Sequence, residues 1–294
     1  MEPLSLTLFG DVKLTVGPTV EIPLPRKTEI LLAYLASNAD KQFSRDKLAS
    51  LIWPNRPEGQ ARQSFRQCLF TLAKSIGGDR APLVDADRHR VSLNSATVEV
   101  DTWCFERLLA KDTPDAMQQA VALYLDDFAT GVRFEAGTID TWCAAERTLL
   151  RDLCFDTLAT LSSHYADTAR LDEAIEASRR LVALDPLRED AHRTLMRLYS
   201  RTGRRAEAVK QYRHCLDILR TELKVKPEAA TLSLYSDITG QTYEAVPASK
   251  TADLSPNQLP SAEEPASHLA TLSWKQKWRW WLDESKSVQG KNRA

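Results

Sequence analysis

The chain has 294 residues, which is enough for two domains with sizeable hydrophobic cores. Its formal net charge is −1, and this value alone neither favours nor excludes nucleic acid, because a basic surface can be balanced by acid elsewhere. Residues 41–90 show such an imbalance, with ten Lys and Arg residues against five Asp and Glu residues. The composition therefore permits one part of the chain to bind DNA.

Several classes of protein are disfavoured by what the sequence lacks. The five cysteines are odd in number and widely spaced, which is typical of reduced thiols in a cytoplasmic protein. No Cys-x-x-Cys motif occurs and the histidines lack ligand spacing, so we expect neither a bound metal nor another cofactor. No apolar run approaches the roughly 18 residues of a membrane span. No nucleophile with a placed base and no phosphate-binding loop is recognisable, so we do not expect an enzyme.

The first part of the chain combines short strands with helices. Alternating segments between Leu4 and Leu24, separated by turns that contain glycine, predict a small antiparallel sheet. The apolar spacing predicts a first helix over 26–37, followed by a loop over 38–43. Ser44 is a suitable N-cap for a second helix, which we expect to end at Trp53.

The segment 57–78 predicts an amphipathic third helix, because apolar residues recur at every third or fourth position. Its apolar stripe comprises Ala61, Phe65, Cys68, Leu69, Leu72 and Ile76. The opposite face has no acid and comprises Gln63, Arg66, Gln67, Phe70 and Lys74, with Arg62 on its flank. Gln and Arg side chains match the edges of adenine and guanine in the major groove, and Lys suits a phosphate. The alternative is the solvated face of an ordinary helix, and the neighbouring elements must decide between them.

A basic hairpin is predicted after the third helix. Residues 83–94 form two short alternating segments around Asp87, so Arg88, His89 and Arg90 are expected at or near the tip. A sheet, three helices and a basic hairpin together predict a winged helix-turn-helix, whose third helix enters the major groove. The hairpin, or wing, then lies along neighbouring phosphates or reaches the minor groove. Phe70 could contact a thymine methyl group or pack under the wing, and the sequence leaves both readings open.

The later part of the chain reads as helical. Residues 98–101 are predicted to close the first domain, with Asp101 capping the next helix, and amphipathic patterns cover 114–128 and 139–165. A shift of 34 residues then aligns two segments of the chain. The aligned pairs include Leu161 with Leu195, Tyr165 with Tyr199, Thr168 with Thr202, Arg170 with Arg204, Glu173 with Glu207 and Ala174 with Ala208. This period is that of tetratricopeptide repeats, which stack helix pairs into a surface suited to holding a protein.

The composition changes after about Ile238. Residues 246–267 contain four prolines, and we interpret them as part of a disordered linker. The tail begins with WKQKWRWWLDE at Trp274, a short segment in which Trp and basic residues are interleaved. It is better suited to packing on the repeats or docking on a partner than to lying on a membrane surface, because its apolar face is short. The predicted domain boundaries are 1–98, 99–240, 241–273 and 274–294.

Three stretches are the most distinctive: ARQSFRQCLFTLAKSIGG in the third helix, VEVDTWCFERLL at the domain junction, and the repeats from Arg170 to Tyr235. Together they resemble the SARP-type transcriptional activators, which join an OmpR-type winged helix to a bacterial transcriptional activator domain. The resemblance covers Leu4 to Ile238. It implies binding to repeated promoter elements in double-stranded DNA and recruitment of RNA polymerase. One small module rarely reaches useful specificity, so two copies on adjacent sites are expected, as a homodimer on DNA. Wings of this family often carry a Gly-Tyr pair, and the Arg88-His89 pair at about that place is a departure from the pattern.

The fold predicted from the sequence is an α+β N-terminal winged helix-turn-helix followed by an all-α domain of tetratricopeptide-like repeats. The predicted function is that of a sequence-specific DNA-binding transcriptional activator, cytoplasmic and associated with the nucleoid. The predicted DNA-binding residues are Arg62, Gln63, Arg66, Gln67, Phe70, Lys74, Arg88 and Arg90. The alternative is a helical-repeat adaptor whose winged domain binds protein, and it predicts no salt-dependent affinity for DNA.

Overall fold

The computed structural model describes residues 3–39, 41–77, 82–132 and 137–240. The predicted linker 241–273 and the Trp-rich tail 274–294 lie outside the described residues. We call residues 3–100 the winged region and residues 101–240 the helical region. Among the described helices, none combines the length and the apolar character needed to span a bilayer.

The described residues of the winged region form two small sheets and three helices. Its strands are β1 Leu4–Thr7, β2 Lys13–Val16, β3 Val20–Ile22, β4 Phe43–Ser44, β5 Val84–Ala86, β6 Arg90–Leu93 and β7 Val98–Val100. Its helices are α1 Arg26–Ala36, α2 Arg45–Ile52 and α3 Glu58–Ile76. The first sheet has the order β3-β2-β1-β7 and the second the order β4-β6-β5. The predicted N-terminal winged helix-turn-helix is therefore confirmed.

The predicted antiparallel sheet forms from β1, β2 and β3, and β7 adds to β1 in parallel. Leu4 and Leu6 of β1 are buried while Ser5 and Thr7 are half-buried, which is the alternation that a sheet with one buried face requires. The parallel addition of β7 brings the chain back to the edge of the first sheet just before the helical region begins.

Strand β4 is a feature that the sequence analysis missed. The predicted loop over 38–43 is wrong at Phe43, which pairs with Val91 of β6 in the second sheet. A strand of only two residues has no alternation to detect, and its pairing partner lies 48 residues away in the chain, from Phe43 to Val91. The predicted cap is confirmed, because the hydroxyl oxygen of Ser44 accepts a hydrogen bond from the backbone N–H of Lys47 at 3.2 Å.

The described part of the helical region consists of helices and a π-helical turn. The helices are α4 Asp101–Leu109, α5 Pro114–Leu123, α6 Thr138–Asp167, α7 Leu171–Leu184, α8 Glu189–Arg201, α9 Arg205–Ile218 and α10 Ala229–Thr239. The π-helical turn is Leu219–Leu223 and directly follows α9. The predicted all-α second domain is confirmed.

The repeat predicted from the 34-residue shift appears in the structure as two equivalent turns. The backbone N–H of Arg170 donates to the carbonyl oxygen of Tyr165 at 2.8 Å, and that of Arg204 donates to Tyr199 at the same distance. Ala174 and Ala208, one turn into the following helices, are both fully buried. A side chain larger than Ala at these positions would have to displace neighbours in a close-packed core, which explains why both are small.

The helix predicted over 114–128 ends earlier, at Leu123. Tyr124 is buried with a non-helical backbone, and the following residues pair instead with the end of the first strand. The backbone N–H of Gly10 donates to Asp127 at 2.9 Å, and that of Ala129 donates to Leu8 at 2.8 Å. These bonds satisfy backbone groups that a helix would have used internally, so tertiary pairing overrides the local pattern.

Asp101 also differs from its prediction. Val100 occupies the cap position of α4, and the carboxylate of Asp101 accepts hydrogen bonds from the backbone N–H groups of Leu8 and Phe9, each at 2.9 Å. Burial raises the pKa of Asp101, although these N–H groups act in the opposite direction. The side chain therefore ties the first helix of the helical region to the end of β1.

An aromatic cluster joins the two regions into one core. Phe9 packs against Phe105 with ring centroids 5.4 Å apart and against Tyr124 at 4.9 Å. Tyr34 of α1 meets Trp142 of α6 at 5.0 Å. The regions therefore share a continuous hydrophobic core rather than meeting through a thin polar contact.

Candidate nucleic-acid interface

Helix α3 is fixed on its apolar side. The predicted apolar stripe is confirmed, because five of its six residues are buried and Leu69 is half-buried. The buried residues are Ala61, Phe65, Cys68, Leu72 and Ile76. The helix packs against α1 and α2, and the edge of the Phe65 ring meets Trp53 with centroids 6.4 Å apart. A helix held in this way has a defined orientation for the side chains on its other face.

The opposite face of α3 is open to solvent. Gln63, Arg66, Gln67 and Lys74 are all exposed, and Phe70 has 64% of its surface exposed. The amide of Gln67 donates to the hydroxyl of Thr71 at 3.4 Å, a contact that leaves the rest of the amide available. The five residues lie together on one side of one helix, and the helical region does not cover them.

Arg62 differs from these five because it is already paired within the protein. Its guanidinium group bonds Asp46 of α2 at 2.7 Å and Glu58 in the first turn of α3 at 2.5 Å. The outward face has no acid, but the flank where Arg62 lies has two, Asp46 and Glu58. These contacts connect α2 with α3 at the protein surface.

The wing forms as a hairpin of β5 and β6, with Asp87 organising its turn. The carboxylate of Asp87 accepts hydrogen bonds from the backbone N–H groups of His89 and Arg90, both at 2.6 Å, and these bonds lower the pKa of Asp87. Arg88 is exposed at the tip. Arg90 is the first residue of β6, and its guanidinium group donates to the side-chain oxygen of Gln42 at 3.0 Å.

The wing is tied to the start of α2 by Arg45. Its backbone N–H donates to the carbonyl oxygen of His89 at 3.1 Å, and its guanidinium group donates to that of Asp87 at 2.7 Å. A cavity of about 490 Å³ lies at this meeting point. Its lining includes four arginines, one aspartate and one histidine: Arg45, Arg62, Arg66, Arg88, Asp46 and His89. The fold thus brings the predicted wing residue Arg88 to the same place as Arg66 of α3.

A second, larger cavity of about 710 Å³ flanks α3 on the side away from the wing. Its polar lining includes Lys27, Arg56, Gln60, Gln63, Ser64 and Gln67, and none of the described residues that line it is acidic. Lys27 donates to the carbonyl oxygen of Ile52 at 2.9 Å, and Arg56 donates to the hydroxyl of Ser64 at 2.6 Å. Basic groups therefore stand on both sides of the exposed face of α3.

Lys27, Arg45 and Arg56 were not among the residues that sequence reasoning singled out. They belong to the start of α1, the start of α2 and the turn before α3, and only folding brings them beside α3. The one available signal was the surplus of basic residues over 41–90, which includes Arg45 and Arg56 but not Lys27. Across the described residues, no group of three or more His, Cys, Asp and Glu side chains could hold a metal ion.

A family model described as the bacterial transcriptional activator domain matches residues 100–239. Together with the winged region, this match confirms the SARP-type resemblance predicted from the sequence. A search of curated proteins gave no significant match.

Among solved structures, the chain is similar to Mycobacterium tuberculosis EmbR, determined in complex with a low-affinity phosphopeptide. The TM-score is 0.62 and the sequence identity is 20%, over 83% of this chain and 66% of the EmbR chain. At this identity the likeness concerns the fold. The chain thus shares with EmbR the arrangement of a small α+β domain followed by a helical domain, and it spans just under two thirds of the length of EmbR.

Proposed function

We propose that the chain is a sequence-specific DNA-binding transcriptional activator in which α3 enters the major groove. The observation that carries the proposal is the exposed face of Gln63, Arg66, Gln67, Phe70 and Lys74, which no acid interrupts and the helical region leaves open. An α-helix fits the major groove of B-DNA, and a winged helix-turn-helix presents its third helix there. The activator domain in the same chain supports a role in transcription.

Within this proposal each side chain has a distinct role. Arg66 forms paired hydrogen bonds with a guanine, and Gln63 and Gln67 are suited to adenine. Lys74 contacts a phosphate as a point charge. Basic groups on either side of α3 contact the two flanking backbones, with Arg45, Arg88 and Arg90 on the wing side and Lys27 and Arg56 on the other side.

The helical region binds a protein partner, which we propose to be RNA polymerase. Tetratricopeptide-like repeats offer an extended surface and carry no chemistry of their own. One small DNA-binding module buries a limited area, so we expect two copies on adjacent promoter repeats. The chain would act without catalysis in the cytoplasm, at the nucleoid.

Selection from random duplexes with the full chain tests the DNA-binding proposal. We expect one enriched sequence. If six basic groups contact phosphates, the logarithm of the binding constant should fall with the logarithm of the salt concentration with a slope no steeper than about −5. A variant with Gln63, Arg66 and Gln67 all changed to Ala should keep weak binding and lose most of the sequence enrichment. If the unaltered chain shows no salt-dependent affinity and a partner protein is captured by the winged region, the adaptor function replaces this proposal.

A further inference from the structure

Phe70 is an unusual residue to find on the surface of α3. It is 64% exposed, and among the described residues it is the only exposed Phe, Tyr or Trp side chain. An exposed phenyl ring leaves a large apolar area in water, which costs free energy unless a partner covers it. Its place on the outward face of α3 makes the ring available to a partner that binds this helix.

The core beneath the wing does not need Phe70. The groove of about 410 Å³ between α3 and the wing is floored by Leu72 and Leu83, which are 4% and 2% exposed. Phe70 stands at the rim of this groove with most of its ring in solvent. The sequence left two alternatives open for Phe70, and the structure excludes the one in which its ring packs under the wing.

The neighbours of Phe70 specify the chemistry of what covers it. Arg66 and Lys74 lie one helical turn before and one turn after it, so the ring is apolar within a cationic surface. A partner that fits must be anionic around a small apolar spot. Double-stranded DNA offers this combination, because the 5-methyl group of thymine is apolar and lies on the floor of the major groove between phosphate backbones.

We infer that Phe70 reads the 5-methyl group of a thymine in the major groove. This inference rests on the proposed DNA-binding function. It adds the recognition of a thymine through its methyl group, which hydrogen-bonding side chains cannot recognise. Residues one turn apart are separated by about 5.4 Å along a helix, and base pairs by about 3.4 Å. The thymine should therefore lie within about two base pairs of the guanine that Arg66 contacts.

Replacing single thymines by uracil removes only the methyl group and so tests the contact directly. The duplex is the one selected by the full chain, and each thymine in it is replaced in turn. We expect one or two positions, within about two base pairs of the Arg66 guanine, at which uracil weakens binding about fourfold, the effect expected for burying one methyl group. Phe70→Ala should bind the thymine duplex about fourfold more weakly and should no longer distinguish thymine from uracil there.

Two variants control the experiment. Val20→Ala removes an exposed apolar side chain from β3 and should leave the thymine preference unchanged. Phe70→Leu keeps an apolar contact and should retain part of the preference. Thermal unfolding of all variants should match that of the unaltered chain, since each replaced side chain is largely exposed.

The inference is overturned if no uracil substitution changes affinity, or if the same position responds equally in Phe70→Ala. Either result would leave the wider proposal standing, because Arg66 and the glutamines would still select a sequence. Failure of the unaltered chain to select any duplex would instead remove the proposed function, and this inference with it.

Discussion

Phe70 and Phe128 are the same residue type in opposite surroundings. Phe128 is fully buried at the junction of the two regions, where its ring meets Trp142 edge-on with centroids 5.8 Å apart, whereas Phe70 is 64% exposed on α3. The same contrast holds for charges: Arg151 bonds Asp127 at the junction, while Arg66 faces solvent. Side chains that are satisfied within the chain stabilise the fold, and those left exposed on α3 are available to a partner.

The largest effect should come from breaking the junction. Phe128→Ala removes a large side chain from a close-packed core, and we expect it to lower the free energy of unfolding by about 3–5 kcal/mol. Phe70→Ala should change the same quantity by less than about 0.5 kcal/mol. Urea unfolding followed by circular dichroism measures both values. Equal losses for the two variants would show that the exposed Phe70 contributes as much to the stability of the fold as the buried Phe128.

The next effect concerns base recognition by α3. Arg66→Ala should lose about 1–3 kcal/mol of discrimination at one base pair of the selected site, because a paired contact to guanine is removed. Titration of the selected duplex and of single-base variants gives the discrimination. Arg197→Ala, an exposed arginine of α8, is the matched control and should alter neither affinity nor preference. An unchanged preference in Arg66→Ala would mean that α3 is not the reading helix.

Long periodic segments were the parts of the fold that the sequence predicted well. The apolar stripe of α3 and the 34-residue repeat both follow from spacing within one helix or helix pair, so no distant partner is needed to recognise them. Strand β4 and the early end of α5 depend on pairing with residues far away in the chain. Such pairings are decided by tertiary packing and leave no local pattern.

The candidate site divides in the same way. Gln63, Arg66 and Lys74 share one helix, so their common face could be read from the sequence. Lys27 and Arg56 come from different elements, and their approach to α3 depends on how α1 and the turn before α3 pack. The pairing of Arg62 with Asp46 likewise required the position of α2 relative to α3. Residues brought together by folding were therefore the ones that the sequence did not identify.

A smaller effect should distinguish phosphate contacts from base contacts. Lys74→Ala should weaken binding to all duplexes alike and reduce the steepness of the salt dependence by about 0.9, because one fewer counterion is released. Affinities measured at several salt concentrations give this slope. Lys13→Ala, an exposed lysine of β2 in the first sheet, should leave the slope as it is. A loss of base preference in Lys74→Ala would assign this side chain to a base rather than to a phosphate.

The smallest effect is expected in the pH dependence of the junction. Burial acts to raise the pKa of Asp127, but hydrogen bonds from Arg151 and Tyr124 outweigh it and hold the pKa below its usual value. A carboxylate with a lowered pKa stabilises the folded state above its unfolded pKa, and this stabilisation is lost as pH falls through the folded value.

Asp127→Asn should therefore show a shallower fall in the free energy of unfolding below about pH 4 than the unaltered chain. The difference should stay within about 1 kcal/mol, because Arg151 remains 44% exposed and water screens the pair. Urea unfolding at pH 7, 4 and 3 measures it. Parallel pH curves for Asp127→Asn and the unaltered chain would show that the Arg151 contact does not contribute to the stability of the folded state.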